Sequence, residues 1–179
     1  MVFLSFLMYN NKISVYEFNE RYHNIMRILV FFDTHGNIDY CIRVVERIGA
    51  VDMIIHAGDV SRDAEDLQSI FRDIPVKYVC GNCEVSNVSS ELLFEVCGKK
   101  IYVTHGHLHC VKLEDNYRTL YNHAKKLGAD AAIFGHTHKP VCDNRSDVLL
   151  LNPGSCRHSV SYGVIEIEDS KLRAAILDS

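Results

Sequence analysis

Arg27-Ile28-Leu29-Val30-Phe31-Phe32-Asp33-Thr34-His35 is a short run of β-branched and aromatic residues that stops at side chains able to hold a metal ion. Four further runs repeat the arrangement. Met53-Ile54-Ile55-His56-Ala57 ends at Gly58-Asp59, and Lys77-Tyr78-Val79-Cys80 ends at Gly81-Asn82. Ile101-Tyr102-Val103-Thr104 ends at His105-Gly106-His107, and Ala131-Ala132-Ile133-Phe134 ends at Gly135-His136-Thr137-His138. Each run reads as a buried strand bounded by a turn. Turn chemistry accounts for Asp, Asn and Gly at strand ends, but it does not ask for repeated histidine. Ligands of open α/β sheets gather at the carboxyl ends of strands, where loops from separate strands converge. Residues i and i+2 of an extended chain share a face, so Asp33 with His35, and His136 with His138, have the spacing of chelating pairs.

The intervening segments fix the architecture. Ile38, Cys41, Ile42, Val45 and Ile48 follow helical spacing, predicting a helix with Asn37 as N-cap and Gly49 as its stop. A second helix is expected over 64–71, a third over 116–127. Strand, helix, strand, helix, strand implies parallel pairing with right-handed crossovers up to Cys80. Beyond Glu84 the pattern turns to hairpins: Leu92 to Val96 against Lys100 to Thr104 through Gly98-Lys99, and Tyr162 to Ile167 against Leu172 to Leu177 through Asp169-Ser170. Val148 to Leu151 reads as one more strand, ending at the turn Asn152-Pro153-Gly154-Ser155. An α/β first half and a β-rich second half predict two packed sheets with helices outside.

The chain has 179 residues, enough for one domain with its own core. Its formal charge of −4 and scattered cations exclude bulk nucleic-acid binding, so an anionic substrate needs a local attractor. No stretch is long enough to span a membrane. Seven cysteines without an export signal predict reduced thiols in the cytoplasm. Cys80-Gly81-Asn82-Cys83 has redox-pair spacing but follows a strand that already ends at a ligand; Cys41, Cys97, Cys110, Cys142 and Cys156 read as buried or half-buried hydrophobes. Residues 1–26 differ from the domain at 27–179. They are either a start-site artefact or a docking segment with a short helix through Val15 to Tyr22.

Carboxylate and imidazole suit hard and borderline divalent ions, and a pair of these about 3.5 to 4 Å apart is the usual device for in-line displacement at phosphorus. Asp33-Thr34-His35, Gly58-Asp59, Gly81-Asn82, His105 and Gly135-His136-Thr137-His138 stand in the order and spacing of the calcineurin-like metallophosphoesterase superfamily. Together with the Asn152 to Ser155 turn, they resemble its small bacterial and archaeal phosphodiesterases. The resemblance begins at Arg27. It implies an α/β fold of four layers, αββα, a β-sandwich flanked by helices. It further implies one metal on Asp33, His35, Asp59 and His138 and a second on Asp59, Asn82, His105 and His136. A hydroxide bridging the metals would then attack phosphorus. Mn is the first expectation, with Fe, Zn or Ni as alternatives.

Where many members carry a histidine after the motif asparagine, this chain has Cys83, making its thiol, with an ordinary pKa of about 8.5, the expected proton donor. His107 is expected to support a metal ligand or to face the phosphate, and His56 to be a core or supporting imidazole. His109 is uncommitted, and His23, His123, His158 and Arg157 read as surface residues. The reaction implied is hydrolysis of a small-molecule phosphodiester. The alternatives are a phosphomonoesterase and a non-catalytic scaffold, since a eukaryotic retromer subunit resembles the same fold. Apolar surface on the second sheet leaves room for a homo-oligomer.

Overall fold

A strand covered on both faces must be apolar throughout, and the run before Asp33 meets that demand. The computed structural model describes residues 6–9, 12–15, 25–144 and 147–178. Phe6–Tyr9 (β1) and Lys12–Val15 (β2) pair as a separate antiparallel ribbon. Val15 thus closes a strand instead of opening a helix, and residues 16–22 of the expected docking helix lie outside the described residues.

The remaining strands are β3 (Met26–Phe31), β4 (Met53–His56), β5 (Val76–Tyr78), β6 (Glu91–Val96), β7 (Lys99–Thr104), β8 (Ala131–Ile133), β9 (Val141–Asp143), β10 (Leu149–Asn152), β11 (Ser161–Glu168) and β12 (Lys171–Asp178). They form two five-stranded sheets, ordered β12-β11-β3-β4-β5 and β6-β7-β8-β10-β9. Strands β3, β4 and β5 are parallel, as are β7, β8 and β10. Ile28, Val30, Ile55 and Ile165 of the first sheet pack against Ile101, Val103, Ile133 and Leu151 of the second. The opposite face of the first sheet, through Leu29, Phe31 and Ile54, is covered by α1 (Asp39–Ile48) and α2 (Ser61–Ile70). Leu120 and Ala124 of α3 (Arg118–Lys126) cover Tyr102, Ala132 and Leu150 of the second. The result is the αββα sandwich.

The two sheets do not divide at the middle of the chain. Strands β11 and β12 return to the first sheet, with Ile165 opposite Ile28 and Glu166 opposite Arg27. Ile165 and Ile167 point into the sandwich, while Glu166 accepts from Arg27 Nε at 3.0 Å and Nη2 at 2.9 Å outside it. Cys97 corrects the expectation of a half-buried thiol. With Gly98 it forms the two-residue turn of the β6–β7 hairpin, where both residues have positive φ, so its side chain is exposed. Cys110 and Cys142 are exposed too, whereas Cys41 and Cys156 are buried side by side with sulfurs 3.9 Å apart.

Candidate metal centre

Strands β3, β4 and β5 deliver their terminal residues from one sheet and β7 and β8 from the other, and these ends meet across the sandwich. After β3 and β4, Asp33 and Asp59 are fully or almost fully buried. His35 Nδ1 lies 3.1 Å from Asp59 Oδ2, and His138 Nε2 lies 3.2 Å from Asp33 Oδ2. Donor atoms of Asp33, His35, Asp59 and His138 all fall within 4.8 Å of one another. The His138 contact has ion-pair distance without hydrogen-bond alignment, and both Asp33 oxygens lack a hydrogen-bond partner among the described residues. Burial first, and then the neighbouring Asp59 charge, push the Asp33 carboxyl up to about 8.

The other oxygen of Asp59, Oδ1, faces a second group. His105 Nε2 is 3.6 Å from it, 2.9 Å from Asn82 Oδ1 and 3.1 Å from His136 Nδ1. Burial holds His105 neutral, down to about 4, with the His136 and His107 charges adding to the effect and Asp59 opposing it. His105 Nδ1 lies 3.3 Å from the Ala57 carbonyl, which can only accept, so the ring proton sits on Nδ1. Nε2 is therefore a lone pair, with Asn82 Oδ1, His136 Nδ1 and Asp59 Oδ1 as its neighbours. Carboxylate and imidazole donors gathered in this way fit a divalent metal centre.

The turns that present these groups are strained. Asp33, His35, Asp59, His136 and His138 all have φ between 48° and 80°, the left-handed region that costs an L-residue. Several residues hold them there. Thr34 donates to the Asp63 carboxylate, which also accepts from Gly36 N at 2.8 Å, while His56 Nε2 lies 3.0 Å from the Thr34 hydroxyl. His56 is wholly buried, which lowers its pKa to about 4. Asn152 donates to the Gly135 carbonyl at 3.2 Å and to Thr137 Oγ1 at 3.0 Å, and Ser155 Oγ donates to the Asp33 carbonyl at 3.1 Å. The Asn-Pro-Gly-Ser turn therefore fastens the β8 and β3 ends together. Glu84 ties the β5 turn to α2 by accepting from Ser61 N at 2.9 Å and Ser61 Oγ at 2.6 Å.

His107 and Cys83 stand at the border of this cluster. The His107 ring is 5.5 Å from that of His105 and 6.2 Å from that of His136, and its Nδ1 is buried with no partner among the described residues. Cys83 is exposed, with Asn82 Nδ2 at 3.7 Å from its sulfur; a hydrogen bond to Asp59, with burial behind it, raises the thiol above its ordinary value. Sequence reasoning left out Asp63 and Glu84, because neither follows a strand. It also placed His158 on the open surface. His158 is exposed, but its ring stacks on His138 at 5.2 Å and lies 6.0 Å from His35, at the rim of the centre. The signal available was its position three residues beyond the Asn-Pro-Gly-Ser turn. Among the described residues no helix is long and apolar enough to cross a membrane.

Comparison with known proteins places this geometry. The family model for the calcineurin-like phosphoesterase superfamily domain matches residues 26–170. The probable metallophosphoesterase YsnB of Bacillus subtilis is 32% identical over 161 residues, covering 86% of this chain and 91% of that protein. Phosphodiesterase YfcE of Escherichia coli is 27% identical over 175 residues, covering 79% of this chain and 88% of its own. The structure of Vacuolar Protein Sorting 29 from Cryptosporidium parvum aligns with a TM-score of 0.68 at 17% identity, over 86% of this chain and 97% of that one, a likeness of fold alone. With a family match running from β3 through β11 and every motif position of the centre filled, the chain belongs to the calcineurin-like phosphoesterase superfamily.

Proposed function

We propose that this chain is a phosphodiesterase that hydrolyses a small-molecule phosphodiester at a centre of two divalent cations. The observation that carries the reading is Asp59, whose two oxygens face two different donor clusters. Asp33, His35, Asp59 and His138 would hold one ion, and Asp59, Asn82, His105 and His136 the other. Two carboxylates against two divalent cations leave net positive charge, which attracts a phosphate ester. When bound, the cations supply charge stabilisation at the phosphoryl oxygens and acidify water at neutral pH.

The chain's own residues do the rest. His105, fixed by the Ala57 carbonyl, offers a lone pair without first losing a proton. His107, whose ring lies beside those of His105 and His136, would bind a phosphoryl oxygen, and the Cys83 thiol, held protonated, would give its proton to the leaving alkoxide. A groove lined by Lys112, Glu114, Asp115, Tyr117, Thr137 and Lys139 reaches the 136–138 turn at Thr137 and would take the non-reacting part of the substrate. Seven free thiols favour a reducing compartment, the cytoplasm.

The same fold in a sorting protein means that architecture alone does not decide activity. The strained, buried and unpartnered ligands favour catalysis over a scaffold, because a scaffold has no use for that strain. The test is turnover of bis-p-nitrophenyl phosphate against p-nitrophenyl phosphate with added Mn²⁺. Faster diester turnover that disappears on exhaustive chelation is expected; a preference for the monoester replaces the diesterase reading, and turnover indifferent to chelation removes the metal.

A further inference from the structure

We infer that Glu91, His109 and His123 form a separate site for a single borderline divalent cation such as Zn²⁺, on the face of the second sheet covered by α3. None of these residues belongs to the dinuclear centre. Glu91 opens β6, His109 lies in the 3-10 turn 107–109 after β7, and His123 lies in α3. Their donor atoms nevertheless fall within 4.8 Å of one another. His109 Nε2 is 2.8 Å and His123 Nε2 is 3.9 Å from Glu91 Oε1.

Hydrogen bonding accounts for part of this arrangement only. The buried Tyr102 hydroxyl donates to Glu91 and lies 2.7 Å from His109 Nε2, so carboxylate, hydroxyl and His109 make a satisfied network. His123 does not enter it, because 3.9 Å is beyond hydrogen-bond reach. Ligands of one tetrahedral zinc, each roughly 2.1 Å from the ion, stand roughly 3.4 Å apart, and the two observed separations bracket that value. Two imidazoles and a carboxylate are a set that zinc accepts, with a fourth position left to solvent. Here Glu91 and His123 keep side-chain exposures of 38% and 40%, so the fourth position has access to water. The rings of His109 and His123, with centroids 4.8 Å apart, and that of Tyr102, 5.4 Å from His123, wall the other sides.

An ion at this position would join three elements that are distant in sequence. The 3-10 turn begins two residues after His105, so the same segment that delivers His105 and His107 to the dinuclear centre would be pinned to α3. The site therefore acts on loop order and not on the chemistry itself.

The full chain, stripped by chelation and titrated with Zn²⁺ under calorimetry, tests the inference alongside variants Glu91→Gln and His123→Ala. Glu91→Gln keeps the Tyr102 hydrogen bond and the side-chain shape, and circular dichroism checks that both variants fold. Each is expected to bind one equivalent fewer than the parent, or to bind it at least about 100-fold more weakly. With Co²⁺ as the probe, the visible absorption of a four-coordinate site falls in step. Equal stoichiometry and affinity in the parent and in Glu91→Gln overturn the site and leave a metal-free hydrogen-bond network. Repeating the titration in a Asp59→Asn, His136→Ala background keeps the two centres distinct: the equivalent that Glu91→Gln removes is still present there if the sites are separate.

Discussion

Asp33 is buried beside a second carboxylate, Asp59, and stability in the absence of metal depends on its titration. Its ordinary value of 3.8 rises to about 8 in the fold, from burial and then from Asp59. Between those values the folded state keeps a proton that the unfolded state has lost, so stability in the absence of metal falls as pH rises and levels off above about 8. The buried imidazoles of His56 and His105, lowered to about 4, work the opposite way, but only up to their ordinary 6.5. From pH 6.5 to 8 the Asp33 slope is therefore uncovered. Urea unfolding of chelated protein should lose about 2 kcal/mol across that window; a gain instead would mean that Asp33 is already ionised. Substitution of one ligand is the companion prediction. His136→Ala should lower kcat at least about 100-fold, beyond what supporting residues of a metal site usually cost, with an unchanged circular dichroism spectrum. The seven proposed ligand positions stand out in the chain because residue type and strand end coincide in them. Asp63, Glu84 and His158 were not, since their roles arise from contacts between segments far apart in the chain.

At the scale of elements, the turns after the strands are where the fold spends conformational strain, and glycine permits close backbone approaches there. A Cβ on Gly81 would stand 2.4 Å from the backbone nitrogen of Asp59 and 2.5 Å from its Cα. Neither atom can swing aside, so Gly81→Ala must displace the β4 or β5 turn. A cost on the order of 1–3 kcal/mol is expected, with divalent-ion affinity weakened about 10–100-fold because Asp59 leaves its place between two donor sets. Thermal melts and a metal titration measure both, and unaltered affinity would show that the turns are not coupled. Helical periodicity located α1 and α3 to within a few residues. The start of α2 escaped because its first residue is capped by Glu84 from a later loop, a partner with no local mark. Strand β9 escaped because three residues on a sheet edge are too few to show alternation.

At the scale of the molecule, the proposed ligand set is split between two sheets: Asp33, His35, Asp59 and Asn82 follow strands of the first, and His105, His136 and His138 follow strands of the second. That division could not be read from the chain, because each run looks alike and only long-range pairing decides which sheet it joins. It has a thermodynamic consequence. Without metal, the sandwich edge holds buried carboxyl groups against imidazoles, and the hydrogen bonds that cross it there include those of Ser155 with the Asp33 carbonyl and of His105 with the Ala57 carbonyl. Ions that bind the folded state alone add stability by mass action, about 4 kcal/mol at a free concentration a thousand times the Kd. For a domain of this size that corresponds to a rise in Tm of roughly 8–16 °C. Calorimetric scans with Mn²⁺ and with a chelator should differ by about this amount, and His136→Ala, which removes one second-sheet donor, should shrink the difference. If the Tm is the same with and without ions, the two sheets are not being drawn together by metal, and the donors at their ends bind no ion appreciably at the concentrations tested.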